Sequence, residues 1–185
     1  IIGVISIQQT NFDIKNPWSF TGGGQNLGVS LELGTEARNY RISFTEPYFL
    51  DKPVSVGADI YRTRREWSDY TEEATGIDLR VSRRWENISL GFTAKTELID
   101  LSDIEIVSVQ GQAGEKRKNS LTATLTHSTL DSVRTPSKGN MARLSIESAG
   151  GIFQGDVDFI KPVFENDFYY PFQKFVFHSK TRAGF

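Results

Sequence analysis

Strict alternation of apolar and polar residues in one stretch constrains the fold more than any other feature of the chain. Within residues 25–52, apolar side chains occupy every second position over 27–33 and again over 40–44, while Glu32 and Arg41 lie at the intervening positions. Successive side chains of a β-strand point to opposite faces, so a period of two places all the apolar residues on one face. The stretch therefore predicts a β-hairpin with one apolar and one polar face.

The same period of two recurs along the whole chain. Further alternating segments begin at Ile1, Val54, Ile77, Ile88, Leu121, Ala142, Val157 and Phe175. The connections between them are expected to include 64–73, 100–118 and an aromatic-rich turn at 164–172. The pattern predicts a single all-β domain over residues 1–185, an antiparallel up-and-down arrangement of roughly ten strands, and no helix.

Composition excludes several classes of protein. The formal charge of -2 argues against a dedicated nucleic-acid-binding protein, which needs clustered Lys and Arg, so nucleic acid is not an expected partner. The absence of cysteine excludes disulfides and thiolate metal sites. No apolar run approaches the roughly 20 residues of a membrane helix. The mean hydropathy of -0.35 is typical of a soluble protein, yet strands of a membrane barrel give similar values because every second residue is polar.

The polar positions of the alternating segments carry charge of both signs, whereas the apolar positions of the central hairpin carry none. Most segments are roughly 9 to 12 residues long, which is enough for a tilted strand to cross a bilayer. We therefore interpret the apolar face as contacting lipid and the polar face as lining a barrel interior, where Asp78 with Arg80 and Lys95 with Glu97 are expected to form ion pairs. The charges assigned to this lumen are Glu32, Arg41, Asp59, Asp78, Arg80, Lys95, Glu97, Arg143, Glu147 and Arg182.

Aromatic residues concentrate in the odd-numbered connections, which an antiparallel meander brings to one end. The even-numbered connections are expected to be longer and more charged, the asymmetry of an outer-membrane barrel with its ring of interfacial aromatics. The interfacial set is Phe12, Trp18, Phe20, Trp85, Tyr169 and Tyr170. The alternative is a soluble β-barrel or sandwich that acts as a binding module and packs its apolar face inward.

Several motifs, in this order and spacing, resemble one known family. The segments GVISIQQTNF, RISFTEPYFLDKPVSVGADIYR, TGIDLRVSRRW and LDSVRTPSKGN are similar to the barrel of the Omp85 superfamily, specifically its BamA-type outer-membrane assembly proteins. Two pieces resemble turns of that barrel on the periplasmic side. They are Glu46, Pro47, Tyr48 and Phe49 in the first turn, and Asp131, Pro136 and Gly139 in the second.

The resemblance implies an integral protein of the outer membrane of a Gram-negative-type bacterium that helps to fold and insert β-barrel proteins. It implies membrane lipid or detergent as surroundings and, for the parent protein, nascent outer-membrane proteins and assembly-complex lipoproteins as partners. The chain would cover roughly strands two to eleven of a barrel of about sixteen, without the periplasmic POTRA domains. We expect such a segment not to insert barrels alone.

Open sheet edges are costly in lipid, because no water satisfies their backbone N–H and C=O groups. We therefore expect the ten strands to close on themselves, with 1–11 pairing to 173–185. A barrel of this size has a lumen that side chains can fill, which the mixed charges of the polar face would do.

Catalytic chemistry has little support in the sequence. His127 and His178 are the only histidines, and neither has carboxylate spacing typical of a metal site. Ser, His and Asp occur without a nucleophile-elbow motif, and the glycines at 22–24 are not followed by a phosphate-loop lysine. We expect no cofactor, no metal and no enzymatic activity.

Overall fold

The computed structural model describes residues 2–104 and 113–184, which form one antiparallel sheet of ten strands in sequence order. This confirms the predicted all-β meander. Among the described residues, no helix is long and apolar enough to cross a membrane, and helical structure is limited to the short 3-10 turns Phe49–Asp51 and Gly151–Phe153. The strands are β1 (Ile2–Phe12), β2 (Gln25–Gly34), β3 (Ala37–Glu46), β4 (Val54–Glu66), β5 (Thr71–Trp85), β6 (Ile88–Ser102), β7 (Gly114–Ser128), β8 (Gly139–Ala149), β9 (Phe159–Phe172) and β10 (Phe175–Gly184).

The polar face of the sheet is buried and the apolar face is exposed, which is the reverse of a soluble sheet. In β4, Asp59 and Tyr61 are only 3% and 5% exposed, whereas Ile60 between them is 56% exposed. In β5, Asp78 is 8% exposed and its neighbour Leu79 is 58% exposed. A soluble sheet would cover its apolar face, so a contiguous exposed apolar surface indicates contact with lipid or a partner.

Strand register aligns the apolar residues into rows. Ile42, Ile60 and Ile77 lie opposite one another on β3, β4 and β5. The next row toward the odd-numbered connections contains Phe44, Ala58 and Leu79. These rows form a continuous apolar band across the outer face of the sheet.

The expected closure of the sheet on itself does not form. The strand order places β1 and β10 at the two edges, and in the described residues β1 pairs with β2 while β10 pairs with β9. A barrel closes when strand tilt and register stagger bring its first and last strands together, and these ten strands do not reach that condition.

Three expected connections lie wholly or partly in strands. The charged 64–73 stretch is a hairpin, because β4 continues to Glu66 and β5 begins at Thr71. The stretch 164–172 is the second half of β9, and the turn follows at 173–174. In the stretch 100–118, β6 extends to Ser102 and β7 begins at Gly114, while 105–112 lie outside the described residues. Ladder hydrogen bonds use the backbone, so charged or aromatic side chains do not end a strand that has a partner.

Among the connections that the structure describes, the expected difference in length between the two ends is also absent. The odd-numbered connections include the long 13–24 and 129–138, and the even-numbered ones include the short 35–36 and 67–70. The charged residues at 64–66, 72–73, 100 and 115–118, which were expected in long even-numbered loops, belong to extended hairpins instead.

Candidate functional site

A network of charged side chains occupies the centre of the polar face. Asp59 of β4 accepts a hydrogen bond from Arg41 of β3 at 3.0 Å between Nη1 and Oδ2, and the same oxygen accepts one from Arg80 of β5. One nearly inaccessible carboxylate therefore bridges two arginines across three strands. Charge-assisted hydrogen bonds of this kind are stronger than neutral ones and fix the relative position of the strands.

Glycines provide the space in which these long side chains lie flat on the sheet. Gly57 lies opposite Arg80, and a Cβ added to Gly57 would be 2.9 Å from Arg80 Nη2. Gly76 lies opposite Tyr61, and a Cβ added there would be 2.6 Å from the Tyr61 hydroxyl oxygen. The side chains of Arg80 and Tyr61 thus take the place of the missing glycine side chains.

Tyr61 connects the network to β6. Its hydroxyl donates a hydrogen bond to Glu97 Oε1 at 2.7 Å. Arg41 lies over its ring, with Cζ 4.9 Å from the ring centroid, and Lys95 lies with Nζ 5.3 Å from the same centroid. Lys95 Nζ is also 3.8 Å from Asp78 Oδ1. Cation–π contacts and ion pairs therefore tie β3 through β6 together on the polar face.

A second network repeats this arrangement on β8, β9 and β10. Glu165 of β9 lies between Arg143 of β8 at 3.5 Å and Arg182 of β10 at 3.4 Å. Glu147 of β8 pairs with Lys118 of β7 at 2.8 Å. On this half of the sheet, Glu165 therefore joins basic side chains from two neighbouring strands, and Glu147 joins one.

The structure places the predicted polar-face charges as the alternation indicated, but it pairs them differently. Asp78 does not pair with Arg80, nor Lys95 with Glu97; each pairs across strands instead. Asp78 and Lys95 lie directly opposite each other. The Cβ atoms of such residues on adjacent strands are about 5 Å apart, whereas residues two apart on one strand are separated by roughly 6.6 Å. Glu32 accepts a hydrogen bond from Asn39 of β3 at 2.7 Å.

Three members of the networks were not among the predicted site residues. Tyr61 has the same parity as Asp59, and Lys118 the parity of the buried Ser120, so alternation could have identified both. Alternation does not identify Glu165, because the composition of its segment predicts a turn.

The first predicted turn motif is joined to connection 13–24 by a chain of hydrogen bonds. Glu46 Oε1 accepts a hydrogen bond from Tyr48 N at 3.0 Å, and Glu46 Oε2 accepts one from Gln25 Nε2 at 2.8 Å. Gln25 Oε1 in turn accepts one from Ile14 N at 2.7 Å. Glu46 therefore links connection 47–53, which contains Pro47 and the first residue of the 3-10 turn, Phe49, to connection 13–24.

The second predicted turn motif is organised by Asp131. Its Oδ1 accepts hydrogen bonds from Ser137 N at 2.9 Å and Lys138 N at 3.1 Å, and its Oδ2 accepts one from the Ser137 hydroxyl. Gly139 ends the connection at a φ of 109°, where a Cβ would collide with the carbonyl oxygen of Thr129. The carboxylate and the glycine thus define this loop, which also contains Pro136.

The hydrogen bond from the Ser137 hydroxyl, followed by those from the Ser137 and Lys138 amides, lowers the pKa of Asp131 from 3.8 to about 2. These bonds favour the ionised carboxylate, so the loop order they supply is present above pH 3.8 and is lost as the pH falls to about 2. We expect Ser137→Ala to raise the pKa of Asp131 toward 3.8, as measured by carboxyl-carbon NMR titration in detergent. Ser132→Ala is the control, because Ser132 bonds Thr135 rather than Asp131; an equal shift in both variants would contradict the assignment.

The predicted interfacial aromatics divide into two groups. Trp18 is 95% exposed, and Phe20, Trp85 and Tyr170 are also exposed. Phe12 is buried, with its ring edge-to-face against Phe20 at a centroid distance of 5.7 Å.

Tyr169 departs most clearly from the interfacial set. It shares the polar face with Asp167 and stacks on His178 at 4.3 Å between centroids, and His178 Nε2 is 3.0 Å from Asp167 Oδ1. The reason is the extension of β9 through this segment, because strand geometry sends Tyr169 and Tyr170 to opposite faces.

Comparisons with known proteins agree with this architecture. The chain is 28% identical over 168 residues to the outer membrane protein assembly factor BamA of Nitratidesulfovibrio vulgaris, covering 88% of this chain and 21% of that protein. It is 28% identical over 152 residues to a SAM50-like protein of Schizosaccharomyces pombe, covering 77% of this chain and 32% of that protein. The chain therefore spans about a fifth to a third of these relatives' length.

A solved structure shares the fold. The crystal structure of BamA from Haemophilus ducreyi lacking POTRA domains 1–3 superposes with a TM-score of 0.80 at 20% sequence identity, covering 98% of this chain and 37% of that one. Residues 19–185 match the Omp85 superfamily domain. The meander, its exposed apolar face and this match together establish that the chain belongs to the Omp85 superfamily.

Proposed function

We propose that the chain is part of the outer-membrane machinery that folds and inserts β-barrel proteins, and that it forms a section of the wall of a membrane-spanning barrel. The observation that carries the membrane-spanning part of the proposal is the inverted sheet, in which Asp59, Tyr61 and Asp78 are buried while Ile60 and Leu79 are exposed. The assembly role is supported by the Omp85 superfamily match and by the similarity to an outer membrane protein assembly factor. Lipid covers such an apolar face without any protein layer. A soluble binding module would need a second layer there, and none covers it in the described residues.

In this arrangement the polar face lines the interior. The Asp59 and Glu165 networks hold neighbouring strands together from the inside, where water and charge are tolerated. Connections 47–53 and 129–138 face the periplasm, and the exposed Trp18, Phe20, Trp85 and Tyr170 lie at that interface.

The two sheet edges bear on whether the ten strands act alone. β1 and β10 each leave one side unpaired in the described residues, and lipid does not satisfy free backbone N–H and C=O groups. We therefore propose that other strands cover these edges in the membrane, and that insertion requires that larger assembly. Its partners are nascent outer-membrane proteins, assembly-complex lipoproteins and lipid.

Alkaline washing followed by depletion tests the proposal. The protein is expected to stay in membranes washed with carbonate and to dissolve only in detergent. Its depletion is expected to lower outer-membrane β-barrel proteins, measured as heat-modifiable gel bands, while soluble periplasmic proteins keep their levels. Release by carbonate would overturn the membrane assignment, and unchanged barrel levels after depletion would overturn the assembly role.

A further inference from the structure

A cavity opens on the apolar face of the sheet, where connections 13–24 and 47–53 meet β3, β4 and β5. Its volume is about 730 Å³, within the range of roughly 300–1,000 Å³ typical of sites for small ligands. The wall residues that matter here are Phe44, Val56, Ala58 and Leu79 of the strands and Ile14 and Leu50 of the connections. The wall is therefore mainly apolar.

Hydrogen bonds fix the two connections that form the cavity relative to each other. Glu46 and Gln25 line it, and their direct bond of 2.8 Å continues to Ile14 N and Tyr48 N. Both oxygens of Glu46 are already used, so this carboxylate serves the frame of the cavity rather than a ligand. The connections are thus held in place above the strands.

The cavity is continuous with the apolar band, which contacts lipid in the proposed function on which this inference rests. Phe44, Ala58 and Leu79 form one row of the apolar band, next to the exposed row that contains Ile60 and Ile77. In a membrane-spanning sheet of this superfamily, a hollow in that band opens on acyl chains rather than on bulk water. Acyl chains therefore have direct access to it.

Leu50 forms part of the rim in an unusual conformation. Its backbone is left-handed, with φ 55° and ψ 40°, and its side chain is 72% exposed. A non-glycine residue in this region of the Ramachandran plot is uncommon, and such residues cluster at ligand sites. An apolar side chain held outward beside the cavity would gain contact with an apolar chain that enters it.

The charges at the rim distinguish between lipid headgroups. Asp13, Lys15 and Asp51 line the cavity, and Asp13 Oδ1 already accepts hydrogen bonds from the amides of Lys15 and Asn16. Among the described residues, neither the Asp51 carboxylate nor the Lys15 ammonium group has an ion-pair partner, so Asp51 is available to the ammonium group of a lipid and Lys15 to its phosphate. We propose that the cavity binds one acyl chain of a phospholipid whose headgroup carries an ammonium group, with the ammonium group near Asp51.

Native mass spectrometry tests whether the cavity holds the chain. The full chain, purified in detergent with equal amounts of dioleoyl phosphatidylethanolamine and dioleoyl phosphatidylglycerol, is expected to retain the first lipid preferentially. Ala58→Trp fills the cavity and is expected to reduce retention at least fivefold. Ile60→Trp is the matched control, since it adds the same ring on the same strand and face one row away, and it is expected to retain the lipid.

Leu79→Trp fills the cavity from β5 and provides a second variant should Ala58→Trp fail to fold, which heat-modifiable mobility reports. Failure of the wild-type protein to retain phospholipid, or equal retention by the filled variants and Ile60→Trp, would overturn the site. A photoreactive group at position 50 is expected to label lipid, and labelling of protein instead would overturn the lipid as occupant.

Asp51→Asn tests the headgroup. It is expected to abolish the preference for phosphatidylethanolamine while leaving total lipid retention unchanged. Asp69→Asn removes the same charge in the turn at the opposite end of the sheet and is expected to keep the preference. A preference that survives Asp51→Asn would overturn the role of the ammonium group.

Discussion

Replacement of Asp59 by alanine is expected to destabilise the folded sheet by about 3 kcal/mol. The change leaves Arg41 and Arg80 without the carboxylate that both of them contact, at a position where the Asp59 side chain is 5% exposed. Removal of one partner of a buried ion pair costs about 3–5 kcal/mol, and the lower end applies here because the two arginine side chains are 45% and 36% exposed. Urea unfolding in detergent, followed by tryptophan fluorescence, measures the difference.

The Glu165 network supplies the control for this experiment. Glu165 also joins two arginines, but its side chain is 23% exposed and its contacts are longer, at 3.5 and 3.4 Å. Glu165→Ala should therefore cost about 1 kcal/mol or less. Combining Asp59→Leu with Arg41→Met and Arg80→Met should restore most of the loss, since an apolar set of similar volume often replaces a buried ionic one. Equal costs at both sites would show that burial does not set the strength of the network.

Alternation predicted which face each side chain occupies because the period of a strand is a local property. Ile60, Asp59 and Arg41 lie on the faces that their parity indicated. Alternation did not predict partners: Arg80 contacts Asp59 because register, which depends on turns elsewhere in the chain, places Gly57 opposite Arg80. Pairing between strands is a tertiary property and cannot be deduced from one strand.

The segment 164–172 shows where composition misled. Its aromatics and Pro171 predict a turn, yet every residue from Phe164 to Phe172 pairs with β10. Pairing with β8 and β10 keeps this segment extended, although its own composition does not predict a strand. Closure was likewise beyond prediction from sequence alone, because strand number does not give the tilt and stagger that decide whether a sheet meets itself.

Replacement of Gly76, which lies opposite Tyr61, is also expected to lower the stability of the sheet strongly. Gly76→Val is expected to destabilise the sheet by about 2 kcal/mol, because its Cβ would lie 2.6 Å from the Tyr61 hydroxyl oxygen and 3.0 Å from the Thr96 carbonyl oxygen. The tyrosine would have to leave its position and give up its 2.7 Å hydrogen bond to Glu97. The same unfolding assay measures this loss.

Gly91→Val is the matched control, since Gly91 lies on β6 and its nearest atom to an added Cβ is 3.5 Å away. It is expected to be neutral or slightly stabilising, because valine favours strands over glycine. Tyr61→Ala combined with Gly76→Val should cost clearly less than the sum of the two single changes, because the steric conflict exists only when both side chains are present. Strict additivity would mean that the valine acts through the Thr96 backbone alone and that Tyr61 does not depend on the glycine opposite it.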